Sequence, residues 1–327
     1  MPNHIDFDIA IIGGGLVGAS LALALRGSGL RIAMVEAVDR QASEQPSYDD
    51  RTLVLNRVSS QWLREADIWP LLAEAANPIQ RIHVTAKGRF GQTHLSAERH
   101  GLSEFGFVVQ AKRIGMAMLP LLAQADEVKT FCPARLEDIQ IERDHARVIL
   151  AEDGGSFSAK LIVGADGAQS KVRQLMGLPA YEYDYHQTAI ISNVSADRGH
   201  DHCAYERLTD TGPLALLPHG PGRMGLVWST AREQVDELIA MTENEFLAAL
   251  QDRFGYRLGR FHRVGKRTAY PLKLIQAQEC IAPRSLLIGN AAHTIHPVSA
   301  QGFNLGLRDA LVSVSYTHLR AHETTLD

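Results

Sequence analysis

A short apolar strand that runs straight into GGGLVG, and from there into a helix of small residues, leaves few folds open. FDIAII, Phe7–Ile12, is a β-rich apolar run that ends in glycine. Leu16–Leu25 reads as a helix, Ser28 and Gly29 break it, and Arg31–Glu36 reads as a second strand. Two strands joined this way form one βαβ unit, parallel and with a right-handed crossover. The spacing predicts an α/β fold built around a Rossmann-like domain.

Gly13, Gly15 and Gly18 make GxGxxG between strand and helix, and Glu36 ends the next strand. Each position has a physical task. Gly13 permits the tight turn, Gly15 lets a pyrophosphate approach the backbone, and Gly18 lets the helix press on the sheet. Leu16 and Val17 fill the motif at the positive end of the helix, whose free N–H groups face the phosphates. Glu36 can bond both ribose hydroxyls of an adenosine. A glycine-rich turn that binds nothing shares the local spelling, but it would not require the strand, the helix and Glu36 together. An acidic residue here selects against a 2′-phosphate, which leaves NAD or FAD; this motif alone does not choose between them.

The rest of the chain bounds the answer. At 327 residues it is long for one core and fits two intimately joined domains. A net charge of −4 with scattered basic residues argues against a nucleic-acid partner. Cys132, Cys203 and Cys280 form no CxxC pair, so a reducing cytoplasm is expected. No run approaches the roughly 20 apolar residues of a membrane span. Leu136–Val163 reads as an antiparallel meander, and Thr188–Val194, Ala204–Leu208, Leu214–Leu217 and Met224–Ser229 as strands. Thr242 and Glu245 form a capping box that opens a helix with Phe246, Leu247, Leu250 and Phe254 on its buried face. The expected division is residues 1–80 and 111–179 in the first domain, 81–110 as strands lent to a second sheet, 180–275 as a mostly antiparallel domain, and 276–312 returning to the first.

Two further segments sharpen the reading: LIVGADGAQSKVR, Leu161–Arg173, and LLIGNAAHTIHPVSAQGFNLGLRDA, which ends at Ala310. With these the chain resembles the FAD-dependent aromatic hydroxylases of the para-hydroxybenzoate hydroxylase type, which carry GxGxxG, a DG motif and a GD motif in that order. The resemblance runs from Phe7 to Ala310. DDRTL at Asp49–Leu53 and AYERLTDTGPLALLPH at Ala204–His219 look like the ubiquinone-biosynthesis hydroxylases. Asn290 stands where the family usually has Asp, similar to the branch acting on 2-polyprenyl-6-methoxyphenol.

The resemblance implies FAD as the held cofactor, NAD(P)H as a transient reductant, and hydroxylation of a polyprenylated phenol with O₂ by way of a flavin C4a-hydroperoxide. With the chemistry on the flavin, no catalytic side chain is expected. A lipid substrate implies peripheral contact with the inner membrane or a multi-enzyme complex. The residues can be read on their own terms as well. Gly289 allows close approach to a ribityl chain, Asn290 can bond its hydroxyls without charge, and Pro297 fixes a turn beside a planar ring. Gly302, Phe303 and Asn304 begin a helix whose N-terminus stabilises negative charge on a reduced flavin. Ala300 replaces the glycine of the family's AGQGFN, which is expected to tighten that turn. Asp166 either serves the cofactors or caps a helix, and Arg173 meets a phosphate or sits in solvent. Arg51 bonds the flavin or pairs with Asp49 or Asp50. Gln110 lies near the ribityl or simply ends a strand. Leu216, Pro218 and His219 are placed on the substrate side.

No metal is expected: His293 and His296 lack a third patterned ligand, and His200, His202 and Cys203 lie in a polar loop with no second ligand pair. Two other readings stay open, an FAD-dependent reductase or dehydrogenase on an isoprenoid, and an inactive FAD-binding fragment. VSVSYTHLRAHETTLD has no helical apolar stripe. Residues 313–327 are expected to be a non-native tail, native sequence stopping near Leu311–Val314.

Overall fold

The computed structural model describes residues 5–39, 51–152 and 154–323, with side chains through residue 315. Strand β1, Phe7–Ile12, leads through the fully buried helix α1, Leu16–Ala24, to β2, Ile32–Val35. β1 and β2 pair in parallel with Ile9 opposite Ile32. Strand β3, Thr52–Asn56, feeds helix α2, Arg57–Glu65, capped by the Asn56 side chain on Ser59 N. β4, Asn77–Ile79, and the hairpin β5, Arg81–Ala86, with β6, Gln92–Ser96, follow. Then come β7, Gly106–Gln110, helix α3, Ala111–Ala123, and β8, Val128–Phe131. β9, Leu136–Ile141, β10, Ala146–Leu150, and β11, Ser156–Gly164, form the antiparallel meander. Helix α4, Lys171–Leu175, closes this half.

The second half opens with the long β12, Ala180–Ala196, then β13, Cys203–Thr209, β14, Gly212–Pro218, and β15, Arg223–Ala231. Helices α5, Val235–Ala240, and α6, Glu243–Phe254, precede β16, Phe261–Val264, and β17, Thr268–Ala277. The capping box at Thr242 and Glu245 is formed in both directions. The chain then returns through β18, Ile281–Ala282, β19, Ser285–Leu287, and β20, His293–Thr294, to helix α7, Gly302–Glu323.

One sheet runs β18-β19-β11-β1-β2-β8, parallel from β19 to β8, with the meander attached through β11. Its two faces bury separate cores. Helices α1, α2, α3 and α7 cover one around Ile11, Leu21, Leu63 and Met118. The meander and α4 enclose the other around Ile162, Val148 and Val172. The second sheet runs β20-β17-β12-β15-β14-β13-β5-β6, with β16 against β12, and packs α5 and α6 on one face around Trp228 and Phe246. All of its pairings are antiparallel except β13 with β5.

One feature differs from the sequence reading, and one segment is helical where no apolar stripe marks a helix. Phe105–Val109 was expected in the second sheet, but β7 pairs with β3 and β4 in a three-stranded sheet of its own. Its Val108 joins Ile79, Ala204 and Leu217 in the small core between this three-stranded sheet and the second sheet. Helix α7 also continues through the tail segment to Glu323, with Leu311 and Val314 packed on the first core.

Candidate functional site

Four parallel strands end side by side: β2 at Glu36, β1 at Gly13, β11 at Gly164 and β19 just before Gly289. Neighbouring strands lie about 4.8 Å apart. The three glycine turns therefore meet on one rim, at the carboxyl ends where open α/β sheets bind ligands.

The turns are built against each other. Gly13 has φ of +107°, and a Cβ there would run into the carbonyl of Ala165. Ala165 N donates to Ile12 O at 2.7 Å, and Ile288 N donates to Gly164 O at 2.9 Å. At Gly289, φ is +59° and a Cβ would press on Val17 at 3.1 Å. So Val17 packs between the first and third turns, and Leu16 and Phe303 turn their side chains into the first core. Gly15 is the N-cap of α1, which has no side-chain cap and no acidic residue in its first turn. Its leading N–H groups are left for an anion.

Glu36 is buried, with Oε2 accepting from Gly14 N and Oε1 from Val38 N, each at 2.8 Å. Both oxygens keep a second lone pair for a hydroxyl. Asn290 is exposed, and its side-chain amide makes no hydrogen bond within the described residues, which leaves it for a ligand hydroxyl. Pro297 starts a short turn capped by His296, whose Nδ1 accepts from Val298 N at 3.1 Å. Burial holds the His296 pKa below its usual value, consistent with a neutral ring that donates from Nε2 to Gln187 at 3.1 Å. Gly302 opens α7 with nothing near its Cβ position. Pyrophosphate, ribose, a sugar-alcohol chain and a flat ring each find matching chemistry along this rim, so the residues fit FAD.

Several side chains are taken up by the fold itself. Asp166 caps α4, with Oδ2 accepting from Lys171 N at 2.7 Å and Val172 N at 3.1 Å. Arg173 is neither in solvent nor positioned as a free phosphate ligand. It is buried and donates to Ala291 O and Ala168 O at 2.8 Å each, which ties the second turn to the third. Asn304 is buried with its amide fully committed. It accepts from Asn56 N and Ser59 Oγ and donates to Val54 O and Ala300 O. Asn304 therefore anchors α7 to β3, leaving only its backbone for a cofactor. Arg51 stacks over Tyr270 at 5.0 Å, bridging β3 and β17; Asp49 and Asp50 lie outside the described residues. Gln110 ends β7 opposite Thr52, beside Arg51.

On the substrate side, strand alternation corrects the reading by one residue. Leu216 is fully buried in the core under α5 and α6, and Pro218, paired with Met224, lies on the same face. His219 is buried at the β14–β15 turn, where Gly220 N bonds Asn77. The face toward the rim carries Ala215 and Leu217 instead. Gly225, opposite Leu217, fixes this orientation, because a Cβ there would meet Thr52 Oγ1 at 2.6 Å. Next along that face runs a row in register: Val84, Glu206, Ala215, Val227 and Ile191, all only partly covered. Sequence reasoning passed over Glu206, which looks like an ordinary polar residue in a half-exposed strand. A separate hollow of about 460 Å³, lined by Arg81, His83, Tyr205 and Arg257, opens on the opposite face, away from the strand ends.

Comparison with known proteins gives a consistent picture. The family model described as FAD binding domain matches residues 6–316. The ubiquinone hydroxylase UbiL of Rhodospirillum rubrum is 35% identical over 305 residues, covering 93% of this chain and 71% of that protein. The 3-demethoxyubiquinol 3-hydroxylase of Escherichia coli is 30% identical over 314 residues, covering 94% of this chain and 79% of that protein. Among solved structures, Pseudomonas aeruginosa PqsL in complex with 2-aminobenzoylacetate superposes with a TM-score of 0.79 at 22% identity, over 93% of this chain and 84% of that one. At that identity the superposition supports the fold. The α/β architecture, the glycine turns gathered on one rim and these matches agree: the chain belongs to the FAD binding domain family, as an FAD-dependent hydroxylase related to the ubiquinone hydroxylases.

Proposed function

We propose that the chain is a monooxygenase that uses NAD(P)H and O₂ to hydroxylate a polyprenylated phenol in ubiquinone biosynthesis. One observation carries the reading: a partly open apolar row on the second sheet faces the rim where four strand ends fit FAD. When bound, FAD supplies the electron transfer and oxygen activation.

The chain's own residues bind, orient and exclude water. The α1 N-terminus and the Gly13–Gly18 turn hold the pyrophosphate, and Glu36 holds the adenosine ribose. Asn290 would bond the ribityl chain, and Arg51 and Gln110 would contribute from the paired ends of β3 and β7. Pro297 and Gly302 present the α7 N-terminus to developing negative charge. Val84, Ala215, Val227 and Ile191 offer a flat apolar floor for an aromatic ring and keep it dry.

The test supplies a short-chain 2-prenylphenol, NADPH and isotopically labelled O₂ to the FAD-loaded protein. One labelled oxygen in the phenolic product supports the reading. NADPH oxidation with no label in the product favours a reductase instead.

A polyprenyl substrate also calls for a membrane contact, and among the described residues no helix is long and apolar enough to cross a membrane. Phe90 stands fully exposed at the tip of the β5–β6 hairpin, between Arg89 and Gly91, while Lys87 nearby is paired with Asp252. We assign this tip a peripheral contact with anionic lipid. Co-sedimentation with anionic vesicles should weaken severalfold in Phe90→Glu; equal binding of both proteins counts against the contact.

A further inference from the structure

Glu206 lies in the middle of the row that faces the rim, opposite Val84 on β5 and Ala215 on β14. Beyond these come Val227 and Ile191, so it is the one titratable member of that row. Its charged and titratable neighbours point the other way. Arg207 shares its face with Thr85, to which it donates, and His83 bonds Gln92 and packs edge-on against Tyr205. The Glu206 carboxyl is half-buried, and its Oε1 is buried with no hydrogen-bond partner among the described residues. Ser229 Oγ and Asn193 Oδ1, whose strand positions put them on the same face, are also buried without partners. Buried polar atoms are nearly always bonded. The Glu206 oxygen, central in the row, marks a position that a polar group of a ligand completes.

Burial alone pushes the Glu206 carboxyl up from its ordinary value to about 7. An ordinary phenol ionises near about 10. A base lifted toward neutrality narrows that gap while staying ionised through much of the physiological range.

Resting on the phenol-hydroxylation reading, we propose that Glu206 is a catalytic residue that accepts the substrate's phenolic proton on Oε1 as oxygen adds to the ring. The phenolic O–H bond breaks and a carboxyl O–H forms. The electron pair left on the phenol oxygen pushes into the ring, which forms the new C–O bond with one atom of O₂ as the O–O bond breaks; NAD(P)H supplies the two electrons, and the second oxygen atom leaves as water. When the attacked ring carbon later loses its hydrogen as a proton to solvent, Glu206 returns its own proton to the phenolic oxygen. The carboxylate is then restored and the ring is aromatic again.

The experiment uses the full FAD-loaded chain as wild type, Glu206→Gln and Glu206→Asp, with flavin content and melting temperature checked for each. The probes are a short-chain 2-prenylphenol and its methyl ether, which has no proton to give. In the wild type, binding should favour the phenol by about tenfold or more above about pH 8, as a hydrogen bond to a charged acceptor does. That preference should fade below about pH 6. Glu206→Gln should lose the pH dependence and slow labelled-oxygen incorporation by about 100-fold or more, while Glu206→Asp keeps the pH limb. A phenol preference that is flat with pH in the wild type, or unchanged in Glu206→Gln, overturns the assignment. Labelled product from Glu206→Gln at the wild-type rate overturns the base alone. No labelled product from the wild type overturns the hydroxylase reading and the base with it.

Discussion

Asp309 on α7 holds the third glycine turn by two bonds from one oxygen: its Oδ2 accepts from Gly289 N at 2.9 Å and contacts His293 Nε2 at 2.7 Å. The Asp309 hydrogen bond raises the His293 pKa above its ordinary value, against the desolvation that lowers it. Because the folded-state pKa is raised, the stabilisation is fully present below the unfolded value of about 6.5. It is lost as pH rises through the higher folded value. Asp309→Asn should weaken FAD binding about tenfold, the worth of one charge-assisted bond at a partly exposed pair. It should also bring the His293 titration, followed by NMR, back toward its ordinary value. An unchanged FAD affinity would mean that this pair does not set the turn.

Ala300 carries φ of +51° and ψ of +31°, the left-handed conformation that costs a non-glycine residue roughly 1 kcal/mol. Ala300→Gly should relieve it and raise the melting temperature by about 2 °C in a chain of this size. The FAD-loaded protein is the form to melt. A lower melting temperature would show that the alanine methyl contributes more by packing than its backbone costs.

Ala215 and Leu216 are neighbours on β14 with opposite tasks. Leu216→Ala should cost about 2–5 kcal/mol of stability, as for any large aliphatic side chain removed from a core, and leave KM of the folded enzyme nearly unchanged. Ala215→Phe should do the reverse, raising KM for a prenylphenol about tenfold with little change in melting temperature. Paired melting curves and steady-state kinetics decide it. Swapped effects would place the cleft on the other face of the sheet.

Glu206 also makes stability depend on pH in a direction opposite to most carboxylates. Its folded-state pKa stands near 7 rather than 4.5, so the native chain holds a proton that the unfolded chain has released. Stability therefore falls as pH rises across that window. Glu206→Gln should remove this fall, and its advantage over wild type should grow from about pH 5 to about pH 8. Parallel melting-temperature profiles would show that the carboxyl is not buried in solution.

The first βαβ unit and the order of the three turns were legible because each is spelled locally: an apolar run, a glycine at a forced bend, a helix of small residues. The capping box at Thr242 was legible for the same reason. What stayed hidden depends on distant partners or on strand parity. Arg173 looks like a surface arginine until Ala291 arrives more than a hundred residues later. Asn304 looks like a ligand until β3 takes both ends of its amide. The β14 substrate residues slipped by one because an all-apolar run such as LALLP has no alternation to tell one face from the other. β7 was assigned to the wrong sheet because an apolar strand does not name its partner.

The central claim is that four strand ends grip one FAD whose ring borders the cleft over Ala215 and Val227. Titration of the apoprotein with FAD, followed by addition of a short-chain 2-prenylphenol while the flavin absorption is recorded, tests it most directly. The account predicts saturation at one FAD per chain and a saturable shift of the flavin bands by the phenol, with the phenol response much weaker in Ala215→Phe. Binding of the phenol that leaves the flavin spectrum untouched, or failure of the folded chain to take up FAD, would contradict it.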